Sequence, residues 1–276
     1  MIDLHLHTTA SDGRLEPEAL IRRAREAGIH TLSVTDHDTV AAVSAATAAA
    51  RAHGIAIVPG IEITAVVDAR DVHVLGYFID PASGALRDFL VVQRAARVER
   101  ARMMAERLAA LGCPIDIDAV LRDAAAHPDH AVARPRIAVE LVRAGHVASA
   151  DEAFDRLIGE GRPAYVPRWA ASPEEVVSTI GRAGGLASLA HPGLLGRDDL
   201  IGGLVAAGLA ALEVYHSDHD EVARARYAEL ARRYDLAVTG GSDYHGDESS
   251  RHAAIGSVSL PAEEFTRLCA RAGRRP

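Results

Sequence analysis

Short apolar runs alternate along the chain with longer stretches of helical period. Ile2 to Leu6, Thr31 to Thr35, Ile55 to Val58, Val72 to Phe78, Leu186 to Ala190, Ala211 to Tyr215 and Leu236 to Thr239 predict seven buried strands. Strands that alternate with helices imply parallel β/α units and an α/β fold. The helix boundaries carry matching signals. Glu16-Pro17-Glu18 opens a helix that stops near Gly28, and Ser172-Pro173-Glu174-Glu175 opens another that stops near Gly184.

One stretch breaks the rhythm. From about residue 85 to 167 the pattern is almost wholly helical, with a long Arg/Ala/Glu helix from Leu86 to Leu111 and no strand before the Ala164 to Pro167 neighbourhood. It is expected to form a helical subdomain inserted between the fourth and fifth strands, leaving 1–84 and 168–276 for the β/α body. Arg94, Arg97, Arg100, Arg102 and Arg107 alternate with Glu99 and Glu106 on the long helix, so they are expected to make a solvated face.

Composition narrows the function. A chain of 276 residues with 49% hydrophobic content can bury a substantial core. Its net charge of -8 argues against a grip on long duplex nucleic acid, which depends on basic surfaces and counterion release. A small anionic substrate remains compatible, because metal ions and arginines reverse the field locally. Cys113 and Cys269 are the only cysteines, too few for a disulfide framework or a thiolate metal site. There is no basic leader followed by an apolar segment and no membrane-length apolar run, so a cytoplasmic protein is expected.

The chemistry lies at the strand ends. In Asp3-Leu4-His5-Leu6-His7 the alternation of a strand puts Asp3, His5 and His7 on one face. Three polar groups sharing a barrel's inner face are costly unless satisfied, and a divalent cation satisfies imidazoles well. Later runs repeat the theme, with Asp36-His37-Asp38, Glu62, His73, His191, His216, and Asp243 with His245. Carboxyl-end loops of β/α strands meet at one rim, so these side chains predict a metal centre of nitrogen and oxygen donors suited to Mn, Fe or Zn.

The runs Asp-Leu-His-Leu-His-Thr at 3 to 8, Ser-Asp-Gly at 11 to 13, Thr-Asp-His-Asp at 35 to 38, Gly-Ile-Glu at 60 to 62, His-Pro at 191 to 192 and Gly-Ser-Asp-Tyr-His at 241 to 245 closely resemble the PHP (polymerase and histidinol phosphatase) family. The resemblance implies a distorted seven-stranded β/α barrel with two or three metal ions. It implies one ion on His5, His7, Glu62 and Asp243, a second on Glu62, His73 and His191, and a third on Asp12, His37 and His245. Asp12 stands where some members carry histidine. Asp36 and Asp38 are expected to orient His37, and Asp3 to support the first group.

Within the family, Ala133-Arg134-Pro135-Arg136-Ile137-Ala138 and Glu213-Val214-Tyr215-His216-Ser217 are similar to a subgroup of 3′,5′-nucleoside bisphosphate phosphatases and 5′-to-3′ exonucleases of short RNA. That implies hydrolysis of a 3′-phosphate by metal-activated hydroxide, with Asp243, His216 and His245 as catalytic candidates; the third metal, or His216 or His245 if that site is empty, is expected to stabilise or protonate the departing ribose oxygen. Arg134 is expected to clamp substrate phosphate. Arg136 departs from the subgroup's Arg-Pro-His, and its role as a phosphate ligand or a surface residue stays open. The competing readings are a histidinol-phosphate-type phosphatase or an amide hydrolase on the same metals. A non-enzymatic metal-binding module would lack ligands, and none is missing. His30, His53, His127, His130, His146, His219 and His252 are expected at the surface, and Trp169 is expected to pack the seam between insert and barrel rather than stack on a base.

Overall fold

The computed structural model describes residues 1–246 and 254–275. One sheet of seven strands runs in chain order: β1 (Ile2–Leu6), β2 (Thr31–Val34), β3 (Ala56–Val67), β4 (Arg70–Tyr77), β5 (Leu186–Leu189), β6 (Ala211–Tyr215) and β7 (Ala237–Gly240). The sheet curls until its ends nearly meet. The backbone N–H of Asp243, just past β7, donates to the His5 carbonyl at 2.9 Å, and that of His7 donates to the Tyr244 carbonyl at 3.0 Å. The distorted seven-stranded barrel is therefore present.

Helices cover the outside: α1 (Pro17–Glu26), α2 (Ala41–His53), α7 (Pro173–Arg182), α8 (Pro192–Leu195), α9 (Ile201–Ala206), α10 (Glu221–Arg233) and α11 (Ala262–Arg271). The predicted boundaries of α1 and α7 hold. The Ser172 hydroxyl caps α7 by accepting from the Glu175 N–H at 3.2 Å, and Gly28 and Gly184 follow their helices at φ +78° and +75°. One apolar cluster joins β3 to β6 with α7, α9 and α10 through residues such as Ile63, Val74, Ile180 and Leu204. A second joins β1 and β2 with α1 and α2. Among the described residues no helix is long and apolar enough to cross a membrane.

Two expectations about strands are corrected. β4 runs antiparallel to both β3 and β5, whereas the alternation of elements predicted parallel units throughout. Only Asp68 and Ala69 separate β3 from β4, both at positive φ (49° and 62°). A two-residue connection of that hand makes a hairpin, because a parallel crossover needs a dozen or more residues. β3 also extends well beyond Val58, so Glu62 lies inside a strand rather than after one.

Between β4 and β5 lie α3 (Gly84–Ala110), α4 (Ile117–Ala126), α5 (Arg134–Arg143), α6 (Ala150–Ala153) and a π turn at Phe154–Ile158. They share a separate apolar cluster that includes Met104, Leu108, Ile137, Leu141 and Ile158. No strand forms at 164–167. The Arg100 Nε donates to the Val166 carbonyl at 2.8 Å and Arg107 donates to that of Tyr165, which occupies two carbonyls a strand would use. The expected solvated arginine face is half wrong. Arg94, Arg97 and Arg100, three residues apart on α3, are 8%, 5% and 6% exposed, while Arg102 and Arg107 are exposed.

Candidate metal centre

β1 delivers His5 and His7 from one face, as its alternation requires, and both side chains are fully buried. Glu62 on β3 sits at the centre of the group. Its Oε2 lies 3.2 Å from His5 Nε2, from His7 Nε2 and from His37 Nδ1. Its Oε1 lies 2.9 Å from His73 Nδ1 and 3.3 Å from His191 Nε2. The hairpin explains the second pair, because the antiparallel register sets Thr64 of β3 against His73 and the Ala190 N–H bonds the His73 carbonyl at 3.0 Å. Asp243 Oδ1 closes the first group at 3.3 Å from His5 Nε2 and 3.2 Å from His7 Nε2. Asp12 Oδ1 lies 3.3 Å from His245 Nε2, and its Oδ2 lies 3.7 Å from His37 Nε2. Every residue named for the three sequence-derived groups is thus brought to one rim.

The donor set suits divalent cations. Among the described residues, ligand atoms lie within 4.8 Å of one another in four sets: His5, His7, Glu62 and Asp243; His37, Glu62 and His73; His7, Asp12, His37 and His245; and His5, Glu213 and His216. Among the described residues, both ring nitrogens of His7 and Nδ1 of His37 are buried without a hydrogen-bond partner. Buried polar atoms left unmatched are costly, and lone pairs aimed at a common point with carboxylate oxygens are what a cation needs. Burial pushes the carboxyls of Glu62, Asp12 and Asp243 upward, but the facing imidazoles outweigh it and hold all three well below the usual range. They stay anionic in a buried site.

Residues around this group fix its geometry. Glu213 on β6 was not expected to have a role. Its Oε1 lies 3.0 Å from His5 Nδ1 and its Oε2 accepts from the His191 N–H at 2.7 Å, which leaves His5 Nε2 aimed at Glu62 and Asp243. An acid between the apolar Leu212 and Val214 of a buried strand was the available signal. Asp3 accepts from the N–H and hydroxyl of Ser242 at 2.9 and 2.7 Å, and from the His5 N–H at 3.3 Å, so it ties β1 to the residue before Asp243. Burial raises its carboxyl to about 6. Gly241 is required in the same corner, since a Cβ there would stand 2.4 Å from the His5 nitrogen.

Other expectations need revision. Asp36 accepts from the N–H and hydroxyl of Thr8 at 2.7 and 2.6 Å and from Ser11 at 2.7 Å, and so orders the loop after β1 rather than His37. Asp38 receives the Thr64 N–H at 3.0 Å and Arg97 Nε at 2.6 Å. His219, expected at the surface, is 2% exposed. Its Nε2 accepts from the Gly193 N–H at 3.1 Å and its Nδ1 donates to the Val214 carbonyl at 2.9 Å, supporting the turn that carries His191. That turn is strained: His191 has φ +24°, and Asp38 and Asp243 have φ 53° and 55°. Such residues persist where surrounding contacts hold them, often at functional sites. Trp169 is 66% exposed and does not pack the seam. His252 lies outside the described residues.

His216 is fully buried and accepts from the Asp218 N–H through Nδ1 at 3.1 Å, which leaves the proton on Nε2, 3.5 Å from Asp243 Oδ2. A cavity of about 470 Å³ opens above the imidazoles. Asp12, His73, Asp243 and His245 line it together with Arg134 and Phe154 from the helical segment. Arg134, at the start of α5, lies over the rings of Phe154 and Tyr165 at 5.8 and 5.7 Å. Arg136 points elsewhere: its Nη2 donates to the Thr9 carbonyl at 3.1 Å, and the residue lines a separate hollow near α1 and α2.

A rim of imidazoles and carboxylates on a nearly closed β/α barrel, under a cationic wall, is the arrangement of a metal-dependent hydrolase for phosphate esters. The PHP domain model matches residues 3–165. The 5′-3′ exoribonuclease Rnm of Salmonella typhimurium is 39% identical over 253 residues, covering 88% of this chain and 84% of that protein. The 3′,5′-nucleoside bisphosphate phosphatase of Chromobacterium violaceum is 36% identical over 249 residues, covering 88% and 87%. A solved Bifidobacterium adolescentis protein, inferred to be a metal-dependent phosphoesterase, superposes with a TM-score of 0.89 at 34% identity, covering 98% of this chain and 96% of its own. The chain belongs to the PHP domain family and is a metal-dependent phosphoesterase.

Proposed function

We propose that this enzyme removes the 3′-phosphate of nucleoside 3′,5′-bisphosphates in the cytoplasm, with short 5′-phosphorylated oligonucleotides as further substrates of the same site. The observation that carries the reading is the cavity itself, whose lining holds both Arg134 and members of the Glu62-centred cluster, so that one phosphate can meet the cluster while a second meets a guanidinium. The similarity to the bisphosphate phosphatase and the exoribonuclease supports the same substrate class. Segment 85–167 is read as a cap that supplies the second contact.

His5, His7, Glu62 and Asp243 would hold one divalent ion, Glu62, His73 and His191 a second, and Asp12, His37 and His245 a third, with Mn the first candidate. When bound, such ions activate water for attack on phosphorus and neutralise the phosphoryl oxygens. Glu213 holds His5 in its working orientation, and His216 keeps its Nε2 proton toward Asp243, so both act through other ligands. His245 donates Nδ1–H to the Asp243 carbonyl at 2.9 Å and presents Nε2 to Asp12 Oδ1 at 3.3 Å. In the imidazolium form, which the Asp12 and Asp243 carboxylates favour, that nitrogen can pass its proton to the departing ribose oxygen when the third group holds no ion. Arg134, pre-oriented by two aromatic rings, binds the remote phosphate through paired N–H donors.

The test is metal analysis of the purified protein with a turnover screen. Chelation is expected to abolish hydrolysis, and Mn to restore it, with nucleoside 3′,5′-bisphosphates turned over faster than aryl phosphates, histidinol phosphate or amides. Full activity in metal-free protein would overturn the metal assignment, and equal turnover of all phosphate esters would overturn the substrate.

A further inference from the structure

Arg168, in the irregular segment before α7, lines the cavity beside Arg134 and is 8% exposed at its side chain. Its neighbours do not satisfy it. The Nη2 lies 3.8 Å from Asp71 Oδ2 and the Nη1 lies 3.7 Å from Asp38 Oδ2, both beyond hydrogen-bond reach. Among the described residues, its Nε and Nη1 are buried with no hydrogen-bond partner. Asp38 is already matched by Arg97 at 2.6 Å. Arg134 Nη2 stands 4.0 Å from the same Asp71 oxygen that Arg168 faces. Two guanidiniums therefore face one carboxylate oxygen at long range. A structural ion pair would close to about 2.7–2.9 Å. Asp71 lies two residues before His73 on β4, on the same face, which puts this cationic pair beside the metal centre.

We propose that Arg168 joins Arg134 in a phosphate subsite, and that Asp71 is an internal carboxylate that pairs loosely with both guanidiniums until a phosphate dianion takes them. The inference rests on the bisphosphate reading for the identity of the ligand, while its geometry stands independently. Asp71 then sets the affinity, because the incoming dianion competes with it for the same donors.

The experiment uses the metal-loaded enzyme and compares Arg168→Met, Arg168→Lys and Asp71→Asn with wild type. Turnover is measured on a nucleoside 3′,5′-bisphosphate and on the 3′-monophosphate that lacks the second group, and inorganic phosphate binding is measured by calorimetry. Arg168→Met is expected to lower kcat/KM on the bisphosphate about 10- to 150-fold more than on the monophosphate and to remove one phosphate-binding event. Arg168→Lys, which keeps the charge and loses the fork, should fall between. Asp71→Asn should tighten phosphate roughly 2- to 5-fold, an effect that a merely structural Arg168 would not produce. Equal losses on both substrates, or unchanged phosphate binding in Arg168→Met, would overturn the subsite. If wild type shows no preference for the bisphosphate yet Arg168→Met still loses a phosphate site, the substrate reading fails and the subsite stands.

Discussion

Glu62 offers one oxygen to His5, His7 and His37 and the other to His73 and His191. If it bridges two ions as proposed, Glu62→Gln is expected to lower the content of two metals together, read by elemental analysis of the purified variant. Loss of a single ion would show that the two oxygens are not a bridge. Most side chains of this centre were legible because strand alternation and strand-end position carry the signal locally. Glu213, His219 and Arg97 were not, because each acts on a residue far away in sequence. Glu213 matters only once β6 brings it to His5, 208 residues away. His219 looks like a loop histidine until its ring nitrogens are seen to join the Gly193 and Val214 backbone.

At the scale of elements, α3 shows how composition misleads. Arginines interleaved with glutamates describe a solvated helix, and Arg102 and Arg107 are exposed as that pattern requires. The opposite face is buried because acceptors await it. Arg97 donates to Asp38 at 2.6 Å, to the Val132 carbonyl at 3.1 Å and to the Thr64 hydroxyl at 3.2 Å. It thereby joins the loop carrying His37, the strand carrying Glu62 and the residues that lead into Arg134. Arg97→Met should cost roughly 3–5 kcal/mol in urea unfolding, since a buried carboxylate loses its partner, and adding Asp38→Asn should recover part of it. A change within about 0.5 kcal/mol would mean that the helix is held by its apolar contacts alone. The β3–β4 hairpin escaped prediction for a related reason. Alternation of elements names strands but not their direction, and the direction was encoded only in the brevity of Asp68-Ala69.

Over the whole molecule, the barrel supplies the rim of imidazoles and carboxylates, and the helical segment adds residues to the lining of the same cavity. Arg134 belongs to that segment by sequence and to the cavity by position, anchored by Phe154 and Tyr165 rather than by a close carboxylate. If it holds a phosphate that is not the one hydrolysed, Arg134→Ala should penalise a nucleotide bearing both phosphates far more than a simple aryl phosphate. A hydrogen bond to a charged group contributes roughly 1.5–3 kcal/mol, so the extra loss in kcat/KM is expected to be about 10- to 150-fold. The loss should sit mainly in KM, because the contact is made in the ground state as well as in the transition state. Steady-state kinetics on the two substrates decide it. Equal losses would place Arg134 at the reacting phosphate or in the support of α5, and no loss on either would separate the cap from substrate choice.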